Sequence, residues 1–434
     1  MTLMNGTILQ YFHNFLPVDS HLWSELGSQI PAIAQTGFTA VWLPAAYSVS
    51  QQDGLDELSP DVWMGGNAEP FGSSRWLLQY SNGGKLAAIV DGLQAKGVQV
   101  YADIVFHGEA GILRGQLQDW SQCFLDMTGV NGFRLDAAID LPFDTINDWL
   151  RSLAQYQSKT PAARSSEGMR SPEAMRSPEV ALFNFGEYWL GDVGPLQWFL
   201  QEMQHRFCLM DVPLHYNFHH ASQAGHRFDL RCILDGSLVQ RCPELAVTFV
   251  DNQHSQPLEI YDSVVESWFK PLAYALILLR QEGYPSVFYG DYYGANYDGV
   301  GGDGQTYSIV LDSHQWTIDR LMAVRTHHAY GGQRDYFDDP NAIGWTRLGD
   351  ETHPLAIAVL MSNSGPVNNI RSVKNSHAAS KWMQVCRANT EFRDVLGQIE
   401  ESVVTDEWGW GQFACTGRSV SVWVEQPSSN ENAE

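Results

Sequence analysis

Over its first 300 residues the chain alternates strand-like runs with helical ones, and the strand-like runs number eight. They are GTILQYF (6–12), TAVWLPAA (39–46), VQVYADIVF (98–106), GFRLDAA (132–138), ALFNFGEYW (181–189), FCLMDVPL (207–214), AVTFVDN (246–252) and PSVFYGDYY (285–293). Their β-branched and aromatic content suits a pleated, buried surface. Amphipathic helices lie between several of them. In LAAIVDGLQAKG, Leu86, Ile89, Val90 and Leu93 fall on one face and Gly97 ends the run. In PFDTINDWLRSL, Phe143, Ile146, Leu150 and Leu153 do the same, with Pro142 near the first turn. Eight strands, each followed by a helix or a long connection, predict an α/β fold of the (β/α)8 TIM-barrel type.

After about residue 345 the pattern changes to short alternating strands such as AIAVLM (356–361) and SVSVWV (419–424). The expected organisation is a barrel over 1–345, a small antiparallel, sandwich-like β domain over 346–425, and a polar tail over 426–434. The barrel carries a low-complexity insertion at about 160–180. There SSEGMRSPEAMRSPEV repeats MRSPE, with prolines that oppose helix. The acidic, glycine-rich DGVGGDG (298–304) lacks the EF-hand spacing and is expected to be a plain loop.

Fifty acidic residues against 26 basic ones leave a net charge of −24. Such a surface repels phosphate backbones and anionic lipid, which argues against nucleic acid and membrane as partners. A neutral substrate such as sugar is compatible with it. The apolar run PLAYALILL is too short to span a bilayer, and the opening MTLMNGTILQYF has neither a basic nor an apolar leader region. Six cysteines without a CxxC pair match no zinc site and no disulfide framework. A reduced, cytoplasmic, monomeric protein without cofactor or metal is the expectation.

Chemistry concentrates in two strands. Residues two apart share a face of a strand, so Arg134 and Asp136 of GFRLDAA point the same way, toward the C-terminal end where barrel sites form. Burying that pair in an apolar strand is costly without a purpose. Arg134 is expected to keep Asp136 ionised, as a nucleophile requires. In FNFGEYW, Glu187 follows Phe185 and precedes Tyr188 and Trp189. An apolar cage there is expected to raise its pKa and keep it protonated as a general acid. Two carboxyls so contrasted cleave glycosides with retention when about 5–5.5 Å apart.

These elements resemble the α-amylase family, glycoside hydrolase family 13. The resemblance runs through TILQYF, FTAVWLPAA, GVQVYADIVF, MTGVNGFRLDAA, FGEYW, DVPLHYNFH, TFVDN, FKPLAYALILLRQEGYPSVFYGDYYG, DYFDDPNAIGWTRLG and SVSVWV, in the family's order. It implies Asp136 as nucleophile, Glu187 as acid/base and Arg134 as the nucleophile's partner. An α-1,4-glucan or maltooligosaccharide is the implied substrate, bound with help from His107, Tyr188, Trp189 and His254.

The resemblance also exposes departures. After V-D-N the family has His-Asp, where this chain has Gln253 and His254. The third carboxylate, which supports the oxocarbenium-like transition state, is absent, and imidazole has the wrong sign for that task. The family's Asn-His after the third strand is His107-Gly108, and its Lys-His after the fourth is Ile139-Asp140. The long domain B expected after the third strand is missing. The family's structural calcium draws on these same places, so none is expected here. Three functions stay open: a hydrolase of reduced activity, a non-catalytic glucan-binding descendant, and a transglycosylase using the same two carboxylates.

Overall fold

The computed structural model describes residues 5–16, 21–44, 83–104, 110–136, 138, 141–159, 182–365 and 379–426. Eight parallel strands close into a barrel: β1 (Ile8–Gln10), β2 (Ala40–Leu43), β3 (Gln99–Ile104), β4 (Gly132–Leu135), β5 (Phe183–Gly186), β6 (Cys208–Met210), β7 (Ala246–Phe249) and β8 (Tyr284–Phe288). Seven lie within the runs read from the sequence, β8 begins one residue ahead of its run, and β8 pairs with β1 to complete the ring. The two amphipathic stretches form the helices Gly83–Gln94 and Phe143–Lys159.

Two layers of apolar side chains hold the barrel. Ile8, Ala40, Trp42, Tyr101, Phe185, Met210, Val247 and Phe249 fill its interior. The alternate residues of the same strands, among them Leu9, Val41, Val100 and Phe133, pack outward against the helices. Trp42, fully buried, meets Phe185 edge-on and lies under the Arg134 guanidinium, 5.0 Å from its ring centre. The interior is therefore aromatic up to the level of Arg134 and charged above it.

The barrel is followed by a hairpin of β9 (Ala295–Val300) and β10 (Thr306–Leu311). This corrects the reading of 298–304 as a plain loop. Asp298–Val300 belong to β9, and only the turn that follows is irregular. The alternation of buried and exposed residues in ANYDGV marks it as a strand with one face on the protein. Next come β11 (Gln333–Asp339), β12 (Ala342–Arg347), β13 (Ile357–Ser362), β14 (Ala379–Gln384), β15 (Glu391–Asp394), β16 (Val403–Val404), β17 (Trp410–Cys415) and β18 (Ser419–Glu425). They form a six-stranded sheet, ordered β11-β12-β13-β18-β15-β16, and a separate pair, β14-β17. Because β11 and β12 hydrogen-bond into this sheet, the antiparallel part begins at Gln333, ahead of the boundary at 346 that composition suggests. The repeat at 160–180 lies outside the described residues.

Candidate active site

Three strand ends bring the charges together. Asp103 on β3 lies in register with Arg134 on β4, both pointing inward. Asp136 and Glu187 each follow the last residue of β4 and β5, and their backbone N–H groups donate to Ile104 and Leu135. Gly186 sets the position of Glu187, since a Cβ there would lie 2.7 Å from the Phe207 ring.

Arg134 is the hub. Its Nη1 lies 2.9 Å from both Asp103 and Asp136, and its Nη2 forms an ion pair with Glu187. Glu187 has further partners. Asn252 Nδ2 donates to its Oε1 at 2.7 Å, and His254 Nδ1 lies 2.7 Å from its Oε2. Burial by itself raises the Glu187 pKa, yet His254 and Arg134 outweigh it and hold the carboxyl at about 2. This corrects the apolar cage expected from FNFGEYW: Glu187 sits in a cationic pocket and is ionised. His254 shows the reverse balance. Burial disfavours its charge, but Glu187 overrides that and lifts it to about 9, so the pair is a carboxylate facing an imidazolium. Asp103 is pushed up to about 6 by burial, against the pull of Arg134 and with Asp136 adding to the rise.

The turn after β7 aims His254. The N–H groups of His254 and Ser255 donate to Asn252 Oδ1 at 2.9 and 3.0 Å, and Ser255 Oγ donates to Asp251 at 2.9 Å. Gln253 points away from the carboxylates and accepts from Gln10 at 2.8 Å. Asp251 does not stand in for the missing carboxylate. It is buried against Lys270 at 2.9 Å, and Lys270 also pairs with Asp291.

Trp189 lies beside His254. Its ring stacks on Tyr261 at 4.5 Å, its Nε1 donates to the Tyr216 hydroxyl at 2.8 Å, and its edge lies 6.2 Å from the His254 ring. Tyr188 does not join it. It is buried in the outer core, edge-on to Phe199, so its grouping with the substrate-binding residues is corrected. Successive residues of an extended chain face opposite ways, which separates the two. His107 and Asp140 lie outside the described residues.

Asp136, Glu187 and His254 place ligand-type atoms within 4.8 Å of one another. Arg134 and the His254 imidazolium already supply the positive charge there, and both Glu187 oxygens are engaged.

The pH dependence follows with its sign. The His254 contribution to stability is complete below the ordinary imidazole pKa and is lost as pH rises through about 9. The Glu187 contribution is complete above the ordinary carboxyl range and is lost as pH falls through about 2. Denaturant midpoints measured from about pH 6 to 10 are expected to fall between pH 6.5 and about 9 in the native protein and to level off above that. That step should vanish in His254→Gln. Its persistence in the variant would assign the step to other groups.

The closed parallel barrel thus carries an Arg-bound pair of carboxylates at the C-terminal ends of its strands, where barrel sites form. Comparison with known proteins gives the family. The chain is 30% identical to the glucan 1,4-alpha-maltohexaosidase of Bacillus sp. strain 707 over 526 aligned positions, covering 97% of this chain and 93% of that one. It is also 30% identical to the cytoplasmic alpha-amylase of Escherichia coli, covering 97% and 99%. Residues 372–424 match the model of the alpha-amylase C-terminal domain. The fold is that of the Geobacillus thermoleovorans alpha-amylase solved complexed with acarbose, with a TM-score of 0.62, 14% identity, and coverage of 98% and 99%. The chain belongs to the α-amylase family, glycoside hydrolase family 13.

Proposed function

We propose that the protein is an α-amylase-type retaining hydrolase of α-1,4-glucans and maltooligosaccharides, acting as a monomer in the cytoplasm, with its turnover held low by His254. One observation carries this reading: Arg134 ties Asp136 and Glu187 together at the mouth of the barrel, with oxygens inside 4.8 Å. That is closer than the roughly 6.5–9.5 Å an inverting pair needs to admit water. In the reading, Asp136 attacks the anomeric carbon and Glu187 protonates the leaving oxygen, then takes a proton from the water that releases the sugar. In the reading Glu187 takes its proton from the His254 imidazolium along the 2.7 Å contact, and the proton it later accepts from water returns to His254, so the imidazole is neutral while positive charge develops on the sugar. That leaves a neutral imidazole where a third carboxylate would support the developing positive charge.

The cleft is read as open, without a domain B wall. β3 ends at Ile104 and the next helix begins at Ala110, and an alignment of 526 positions against 434 residues means the maltohexaosidase carries segments with no counterpart here. Calcium does not belong to the reading, since His107 offers a nitrogen where calcium takes oxygen. The name of the Escherichia coli relative supports the compartment.

The test is the release of new reducing ends from soluble starch. The native protein is expected to release them slowly and Asp136→Ala not at all; equal rates would remove Asp136 from the mechanism. The second reading, a glucan-binding protein without catalysis, is favoured by the full engagement of Glu187. It predicts no release by either protein and retarded migration of both in a starch-containing gel.

A further inference from the structure

The side chains at the barrel mouth are a mixed ligand set. Asp136 and Glu187 offer carboxylate oxygens and His254 a ring nitrogen, with these atoms within 4.8 Å of one another. Calcium and magnesium take oxygen ligands, whereas imidazole suits zinc, nickel and copper. The imidazole at 254 therefore decides which ions the cluster can hold.

Distance favours the exchange of a proton for an ion. His254 Nδ1 and Glu187 Oε2 lie 2.7 Å apart. Around tetrahedral zinc, with bonds of about 2.0–2.2 Å, neighbouring ligand atoms stand about 3.4 Å apart. Opening the contact by about 0.7 Å thus makes room for zinc between the two. The Asp136 and His254 side chains are each 20% exposed against 3% for Glu187, so the cluster is reached from solvent on their side. The ligands are also held from behind. Arg134 pairs with Asp136 and Glu187, Asn252 Nδ2 donates to Glu187 Oε1, and Asn252 Oδ1 accepts from the His254 N–H. Partners of this kind fix ligand orientation in metal sites. Charge agrees. The carboxylates of Asp103, Asp136 and Glu187 outnumber the cations Arg134 and His254 that pair with them, and a dication in place of the imidazole proton cancels the surplus.

We propose that Asp136, Glu187 and His254 bind one divalent transition-metal ion of the zinc type, with water completing its coordination, and that the bound ion shuts the hydrolytic site. Binding rests on the three side chains; the blockade rests on the function proposed above. As the ion binds, the imidazolium proton passes to solvent and the freed Nδ1 lone pair becomes the third ligand. The ion then engages the Asp136 oxygen that would attack the sugar and the Glu187 oxygen that would carry the proton to the leaving group.

The experiment is zinc titration by isothermal calorimetry in a buffer that does not bind metal, alongside release of reducing ends from maltotriose. The native protein is expected to bind one zinc equivalent that His254→Gln and Asp136→Ala bind about tenfold more weakly or not at all, since losing even a ligand's supporting partner costs about 10–100-fold. Zinc held elsewhere appears in all three proteins and cancels. An excess of calcium should leave that equivalent in place. Displacement by calcium, or equal zinc binding by the native protein and both variants, overturns the proposal. If a variant unfolds, anomalous scattering from a zinc-soaked native crystal should place the ion between the three side chains, and no peak there overturns the site. Hydrolysis by the native protein should fall as this equivalent fills and recover with EDTA; an unchanged rate at full occupancy overturns the blockade. No hydrolysis in the absence of zinc, with the zinc equivalent intact, overturns the hydrolase reading and leaves the metal site standing.

Discussion

His254→Asp is expected to raise the release of reducing ends from maltooligosaccharides by about 10²–10³, the usual worth of one well-placed electrostatic group. Two changes act together. The imidazolium that holds Glu187 at about 2 disappears, and a neighbouring carboxylate raises the Glu187 pKa through like-charge repulsion, toward what a proton donor needs. The new carboxylate also faces the ring in the oxocarbenium-like transition state, where imidazole offers nothing. A double variant, Asp136→Ala/His254→Asp, should fall back to background, which separates restored chemistry from contamination. If His254→Asp stays within about twofold of native, His254 is not what limits the site and the proton route assigned to it is wrong.

Arg134→Met is expected to destabilise the fold by about 3–5 kcal/mol, the range for removing one partner of a buried ion pair. Arg134 is 1% exposed and serves three carboxylates, of which Asp103 and Glu187 are themselves buried. Without it, three acidic groups share a pocket whose remaining cation is His254. Methionine fills much of the volume over Trp42, so the loss reports charge more than cavity. The urea midpoint measures it, and raising the pH from about 6 to 8 should deepen the deficit as Asp103 ionises. A deficit below about 1 kcal/mol would mean that water or rearranged side chains replace the guanidinium.

The barrel was legible because its signal is local. Eight apolar runs and the helices between them survive in sequence order, and a charged pair inside GFRLDAA stands out against apolar neighbours. Asp103 carried the same signal, a lone acid inside VYADIVF, but its meaning depends on β3 pairing with β4 in the register that sets it beside Arg134. Glu187 was misread because its sequence neighbours are not its spatial ones. Phe185 lies a layer below it and Tyr188 faces outward, while His254 arrives from a turn 67 residues further on. The stack of Trp189 on Tyr261 was invisible for the same reason. In DGVGGDG, glycine and aspartate mask a strand that is held by pairing with β10 rather than by its own propensity.

The arrangement behind the β7 turn has a consequence for how this cleft can change. Lys270, Asp251 and Asp291 clamp the root of that turn from beneath, and Asn252 with Ser255 fixes its curve, none of them depending on the side chain at 254. Position 254 is thus an interchangeable tip on a fixed mount. Evolution or an engineer can try acid, amide or imidazole there, one after another, while the mount itself keeps its shape.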